Sequence, residues 1–153
     1  MSEEKLINAL KSTVGEENVI ADKSYLDAAE ATNYRTNQKI ALVVKPSTTE
    51  ELQACVRIAN EFKVPVYPSS RGCNWGYGSR VPVADNSILI ELSRMNRITD
   101  YNEQLGYVTL EPGVTFQQLF EFLREQKSEL ILSATGGSTG SSLVGNAIER
   151  GIG

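Results

Sequence analysis

Apolar residues recur along this chain first at helical spacing and then in short unbroken runs. Leu6, Ile7 and Leu10 share one helical face within SEEKLINALK (2–11), and Gly15 follows as a stop signal. The stretch 16–39 is polar and predicts little more than a second short helix around 24–31. IALVV (40–44) is a β-branched run ended by Pro46 and predicts a buried strand. Ser47 with Glu50, or Thr48 with Glu51, then offers a capping box, in which a hydroxyl and a carboxylate satisfy the free N–H groups of a helix start. In the helix that follows, Leu52, Cys55, Val56, Ala59 and Phe62 lie on one face. VPVYP (64–68) predicts a second strand, so strand, helix and strand form a βαβ unit with parallel strands and a right-handed crossover.

SILIEL (87–92) and YVTLEPG (107–113) predict a third and a fourth strand, the latter closing in a turn. TFQQLFEFLREQ (115–126) predicts a helix with Thr115 and Gln118 as capping box and Phe116, Leu119, Phe120 and Leu123 on its apolar face. LILSA (130–134) is a fifth strand candidate. No internal repeat and no linker interrupts the pattern, so the expected fold class is a single α+β unit that opens as a βαβ. A helical lead-in (1–35) precedes the main domain (36–153).

Composition narrows the function classes. With 153 residues, 41% hydrophobic and 22% charged, the chain has the make-up of an ordinary globular domain. A net charge of −4 without a basic cluster argues against nucleic acid as partner. No apolar run approaches membrane-spanning length, and MSEEKLINAL is too acidic for a signal peptide, so a cytoplasmic, reduced setting is expected. Two cysteines, Cys55 and Cys73, make neither a disulfide framework nor a metal-ligand cluster. Cys55 is expected only to pack. Histidine is absent, which excludes a Ser-His-Asp triad, a Cys-His pair and a histidine-ligated zinc site within the chain. Demanding chemistry would have to come from a cofactor.

Two glycine-rich segments point to one. PVYPSSRGCNWGYGSRVPV (65–83) follows the second strand, where open α/β sheets bind ligands, and TGGSTGSSLVGNAIERGIG (135–153) closes the chain. Glycine lets backbone N–H groups come close to a ligand or adopt positive φ, and successive N–H groups with small hydroxyls can cradle a diphosphate. The alternative is that these glycines serve only tight turns and bulges. Neither segment carries the Walker A pattern or the G-x-G-x-x-G that opens a Rossmann helix, and Pro82 blocks a helix directly after the first loop.

PSSRGCNWGYGS and GGSTGSSLVGNAIERGIG, together with ALVVKPSTTEELQACVRIANEFKVPVYP, resemble the vanillyl-alcohol oxidase / p-cresol methylhydroxylase (PCMH-type) flavoproteins over about residues 36–153. The resemblance implies a PCMH-type FAD-binding domain, incomplete at its C-terminal end. It implies that Pro68, Ser69, Ser70, Arg71, Gly72, Cys73, Asn74, Trp75 and Gly76 wrap the FAD diphosphate. Pro112, Gly113 and Val114 resemble the turn beside the ring system, and Gly136, Gly137, Ser138, Gly140, Ser142, Gly145, Asn146 and Gly151 the second flavin-contacting segment. Tyr77 stands where phenol-oxidising members hold the substrate phenolate, and Glu149 near the position of an acid close to the reactive flavin nitrogen. Trp75 and Tyr77 could instead fill a core, and Arg71 could be a solvated charge or pair with Glu149.

The position at which some relatives attach FAD through histidine holds Asn74, so noncovalent FAD is expected. The implied activity is oxidation of 4-hydroxybenzylic, 4-alkylphenol-type substrates by hydride transfer to FAD. Two alternatives are a noncatalytic flavin- or nucleotide-binding module and an FAD-linked 2-hydroxy-acid oxidase or dehydrogenase. Members of the family are several times longer than this chain. It therefore looks like a fragment, expected to leave segment 135–153 unsupported, to bind FAD weakly without turnover, and to self-associate through exposed apolar surface.

Overall fold

A computed structural model of the chain describes residues 3–74, 80–132 and 138–150, with Arg150 described by its backbone alone. Helix α1 (Glu3–Val14) buries Leu6 and Leu10 of the face foreseen from their spacing, leaves Ile7 half-buried and adds Val14. A short strand β1 (Val19–Ile20) and helix α2 (Lys23–Ala29) follow, the latter N-capped by Asp22, whose carboxylate accepts from the Tyr25 N–H at 3.0 Å. Strand β2 (Ile40–Val44) leads into helix α3 (Thr49–Phe62). Thr48 caps α3 by accepting from the Glu51 N–H, while the Glu51 carboxylate reaches back to the N–H and hydroxyl of Ser47. Of the two boxes offered by the sequence, Thr48 with Glu51 supplies the cap, and the returning carboxylate meets Ser47. Lys63 ends the helix in the left-handed region at φ 58°.

Strands β3 (Val66–Ser69) and β4 (Ser87–Glu91) complete a four-stranded sheet of order β1-β2-β4-β3. β2 and β3 are parallel, as the βαβ pattern required, but both pair with β4, which lies between them. That central place buries every residue of β4. β3 lies at the sheet's rim, where Pro68, which has no N–H to give, costs least.

Two apolar clusters sandwich the sheet. Leu42, Val44, Ile88 and Ile90 pack against α1 and against Cys55 and Ala59 of α3. Ile40, Val43 and Leu89 face Ala29 and Leu26 of α2. An irregular register between Ile40 and Leu42 puts these two residues on opposite faces, against simple alternation. Burial pushes the Cys55 thiol up to about 11, so it stays protonated and packs as a small apolar group.

The remainder is a two-stranded antiparallel ribbon, β5 (Ile98–Asn102) and β6 (Tyr107–Leu110), followed by helices α4 (Phe116–Glu125) and α5 (Leu143–Arg150). Thr115 and Gln118 form the capping box expected for α4. Two expectations are corrected. Residues 130–132 of the LILSA run are irregular, with Ile131 94% exposed, because no strand among the described residues lies alongside to pair with them. Val56 and Phe120, assigned to inward faces, are exposed, so the buried stripes of α3 and α4 are narrower than their apolar spacing. β5 and α5 had no strong sequence signal: ITDYN is mostly polar, and LVGNAIER carries a glycine inside its helix.

Candidate functional site

The C-terminal ends of β3 and β4 face the two glycine segments, and the described parts of both segments meet there. Ser69 ends β3 and is paired in register with Glu91 at the end of β4. Beyond it, Arg71 donates weakly to the Ser93 carbonyl at 3.4 Å. Gly72 has φ +65°, a conformation that suits glycine, and a Cβ there would lie 2.7 Å from the Arg80 side chain. The exposed Cys73 thiol donates to the Arg71 carbonyl at 3.5 Å. Asn74 donates to the Glu149 carboxylate at 3.3 Å, joining the first segment to α5. Glu149 therefore partners Asn74 rather than forming the ion pair with Arg71 entertained from sequence.

The turn after β6 is the second wall. Gly113 donates its N–H to the Met95 carbonyl at 2.7 Å, and a Cβ at Gly113 would stand 2.5, 2.7 and 2.9 Å from the carbonyl oxygens of Leu92, Met95 and Ser93. Only a residue without a side chain fits against those three oxygens. Val114 beside it is fully buried.

The third wall is the second glycine segment. Ser142 caps α5, accepting from the Gly145 N–H at 2.9 Å, and its own hydroxyl donates to the Pro112 carbonyl at 2.6 Å. Leu143 donates to the Val114 carbonyl, Phe116 to that of Ser141 and Gln117 to that of Thr139. Ser138 and Ser141 share a hydroxyl–hydroxyl contact at 3.2 Å. A Cβ on Gly145 would lie 3.0 Å from the Ser70 hydroxyl, so this glycine lets the first segment approach α5. Around Gly140 the nearest atom to a Cβ would be 4.0 Å away, so that glycine borders open space. Residues 138–150 are thus held by the 112–114 turn and the start of α4. Residues 138–150 thus have hydrogen-bond partners within this chain, which the expectation of an unsupported segment 135–153 left out.

Pro68, Ser69, Ser70, Arg71, Gly72, Cys73, Asn74, Pro112, Gly113, Val114, Ser138, Gly140, Ser142, Gly145, Asn146 and Glu149 are therefore gathered from three segments at one end of the sheet. Trp75, Gly76, Tyr77, Gly136, Gly137 and Gly151 lie outside the described residues. A separate pocket lined by Leu6, Ile40, Leu42, Phe62 and Val64 sits at the opposite, N-terminal ends of the strands.

Beneath the walls lies a polar cluster that sequence reasoning missed. The Glu91 carboxylate accepts from the Tyr25 hydroxyl and the Ser93 hydroxyl, each at 2.9 Å. It is also ion-paired with Lys45 at 3.2 Å and Arg80 at 3.7 Å. Burial alone would raise its pKa, but the Ser93 and Tyr25 hydroxyls and the Lys45 ammonium outweigh that and hold it below the usual value. Lys45 also lies 4.8 Å above the Tyr25 ring. Burial acts to lower the Lys45 pKa, yet Tyr25 and Glu91 raise it on balance. The available signal was the single acid in the apolar run SILIEL.

This donor set suits an anionic, polar-ringed ligand: hydroxyls, amides and a guanidinium border the site, and the nearby Glu91 charge is offset by two cations. The family comparison decides which ligand. The sequence pattern described as FAD binding domain matches residues 40–153. The chain belongs to the FAD-binding domain family.

Within that family the similarity runs to PCMH-type flavoproteins. The FAD-binding domain is 47% identical over 150 residues to 1'-carboxy-chondrochloren decarboxylase of Chondromyces crocatus, across 98% of this chain and 28% of that protein. It is 31% identical to the 4-cresol dehydrogenase (hydroxylating) flavoprotein subunit of Pseudomonas putida, across 97% of this chain and 29% of that protein. Its structure matches that of p-cresol methylhydroxylase with bound substrate at a TM-score of 0.92 and 30% identity, covering 98% of this chain and 30% of that one. The chain thus spans under a third of the length of these relatives. FAD is the cofactor that the family assigns to this domain, and the donor set fits it. Among the described residues no helix is long and apolar enough to cross a membrane, and no group of acids and cysteines could hold a metal ion.

Proposed function

We propose that this domain holds FAD noncovalently for the oxidation of a 4-hydroxybenzylic substrate, with the three converging segments as the cofactor cradle. The observation that carries the reading is the meeting of Ser70 with Gly145, of Asn74 with Glu149 and of Ser142 with Pro112 at the ligand-binding end of the sheet. In that cradle Ser69, Ser70, Arg71 and Asn74 bind the diphosphate through hydroxyl, guanidinium and amide donors. Pro112–Val114 and residues 138–146 flank the ring system. Bound FAD supplies a two-electron acceptor. The chain's own residues orient it and offset its charge. Tyr77 is assigned to hold the substrate phenolate, and Glu149, positioned by Asn74, to lie near the reacting end. The noncovalent assignment rests on the absence of histidine from the whole chain.

A second reading, favoured by the 47% identity to a decarboxylase, is that the substrate also carries a carboxyl group that is lost. Adding a 4-alkylphenol, a carboxylated 4-hydroxyphenyl compound or a 2-hydroxy acid to the FAD-loaded protein without oxygen separates these readings. Loss of the flavin's visible absorbance with the 4-alkylphenol supports the first. Carbon dioxide release together with absorbance loss from the carboxylated compound supports the second. Bleaching by the 2-hydroxy acid alone overturns both.

A further inference from the structure

The first glycine segment leaves the sheet at Ser69 and is described again at Arg80, and both ends converge on Glu91. Ser69 is its register partner across β3 and β4, and the Arg80 guanidinium reaches its Oε2 at 3.7 Å. To get there Arg80 crosses over Gly72. Its Cγ and Cδ stand 2.7 and 2.8 Å from where a Gly72 Cβ would be, and the left-handed φ of +65° turns the chain at that point. Glu91 is itself fixed from three other sides, by Tyr25 of α2, by Lys45 directly after β2 and by Ser93 in the turn after β4. Arg71, next to Gly72, donates to the carbonyl of the same Ser93. A carboxylate only 9% exposed, holding two cations and two hydroxyls at the rim of a ligand site, is costly to maintain as mere surface charge.

We propose that Glu91 and Arg80 form an ionic clamp that pins Arg80 over Gly72, and so holds Ser69–Gly72 in place for FAD. Neither residue need touch the cofactor; they are positioning residues. The inference rests on the cofactor assignment above, and its test has one readout that does not.

The experiment compares the parent chain with Arg80→Met, which keeps the aliphatic stem over Gly72 but removes the charge. Arg80→Lys, Glu91→Gln and the Arg80→Met/Glu91→Gln double variant complete the set, all checked for fold by circular dichroism. FAD affinity is measured by flavin fluorescence, and the rate of tryptic cleavage after Arg71 is measured on the cofactor-free chains. The clamp predicts about tenfold weaker FAD binding for Arg80→Met, retention within about threefold for Arg80→Lys, and a double variant no worse than the weaker single one, the signature of a coupled pair. It also predicts faster cleavage after Arg71 in Arg80→Met without FAD. Additive effects on affinity, or an unchanged cleavage rate in Arg80→Met, overturn the clamp. If no chain binds FAD while cleavage after Arg71 still accelerates in Arg80→Met, the clamp stands and the cofactor assignment fails. Should Glu91→Gln not fold because Lys45 loses its partner, the Arg80 pair of variants decides alone.

Discussion

At Gly113 three main-chain oxygens crowd the space a side chain would take, and backbone yields less readily than a rotamer. Gly113→Ala is therefore expected to destabilise the domain by about 1–3 kcal/mol, the range for forcing atoms into a packed site. Urea unfolding with an unchanged midpoint in that variant would mean the contact is not as tight as described. Glu91 carries a different, pH-dependent load. Its folded pKa lies below the ordinary 4.5, so the unfolded chain takes up that proton more readily than the folded one. The stability it provides is complete above about pH 4.5 and is lost as pH falls through the depressed value. The parent should lose stability on acidification through that window more steeply than Glu91→Gln, and parallel curves would exclude Glu91 as a source of the dependence. Exposed acids with lowered values, such as Glu16 and Asp22, add to the acid dependence of both proteins alike and cancel in the comparison.

The link that carries most between elements is Ser142, which caps α5 and ties it to the 112–114 turn with the same hydroxyl. Ser142→Ala removes both bonds and should cost about 1–2 kcal/mol. Ser142→Asp keeps the cap acceptor but cannot donate to the Pro112 carbonyl. It should recover much of the stability while leaving FAD affinity reduced. Equal affinity in Ser142→Asp and the parent would show that the tie to the turn does not matter for the cofactor. Such elements were legible in the sequence to differing degrees. The strands IALVV and SILIEL and the caps at Thr48 and Thr115 were readable because burial on both faces and helix starts leave local signatures. β5 was not, since a polar strand is specified by its partner β6 rather than by its own residues. At residues 130–132 the apolar run misled for the converse reason, as such a run needs an adjacent edge before it becomes a strand. The placement of β4 between β2 and β3 is likewise a long-range outcome that a βαβ pattern does not contain.

In the whole molecule, two apolar clusters fix the sheet and leave the loops at its C-terminal end to form the site. The glycine segments announced themselves through composition and resemblance, but composition could not say why each glycine is needed. Gly72 and Gly113 prove to be demanded by neighbouring protein atoms, Gly145 stands close against Ser70 and Ser142, and Gly140 borders open space. Of the Glu91 cluster only the acid in SILIEL left a signal, because Tyr25, Lys45 and Arg80 reach it from distant parts of the sequence. With no histidine in the chain, FAD bound here should be freed intact by acid or heat, and flavin migrating with the denatured polypeptide on a gel would point to a bond through Cys73 instead. The central claim is that the three segments present in this chain assemble an FAD cradle. Its most direct test is a titration of the chain with FAD, followed by flavin fluorescence, beside the Gly145→Val variant, whose side chain would wedge Ser70 away from α5. The account predicts saturable binding by the parent and at least roughly tenfold weaker binding, about 1.4 kcal/mol, by a variant that remains folded. A folded variant that binds FAD as tightly as the parent, or a folded parent that does not bind it, would contradict the account.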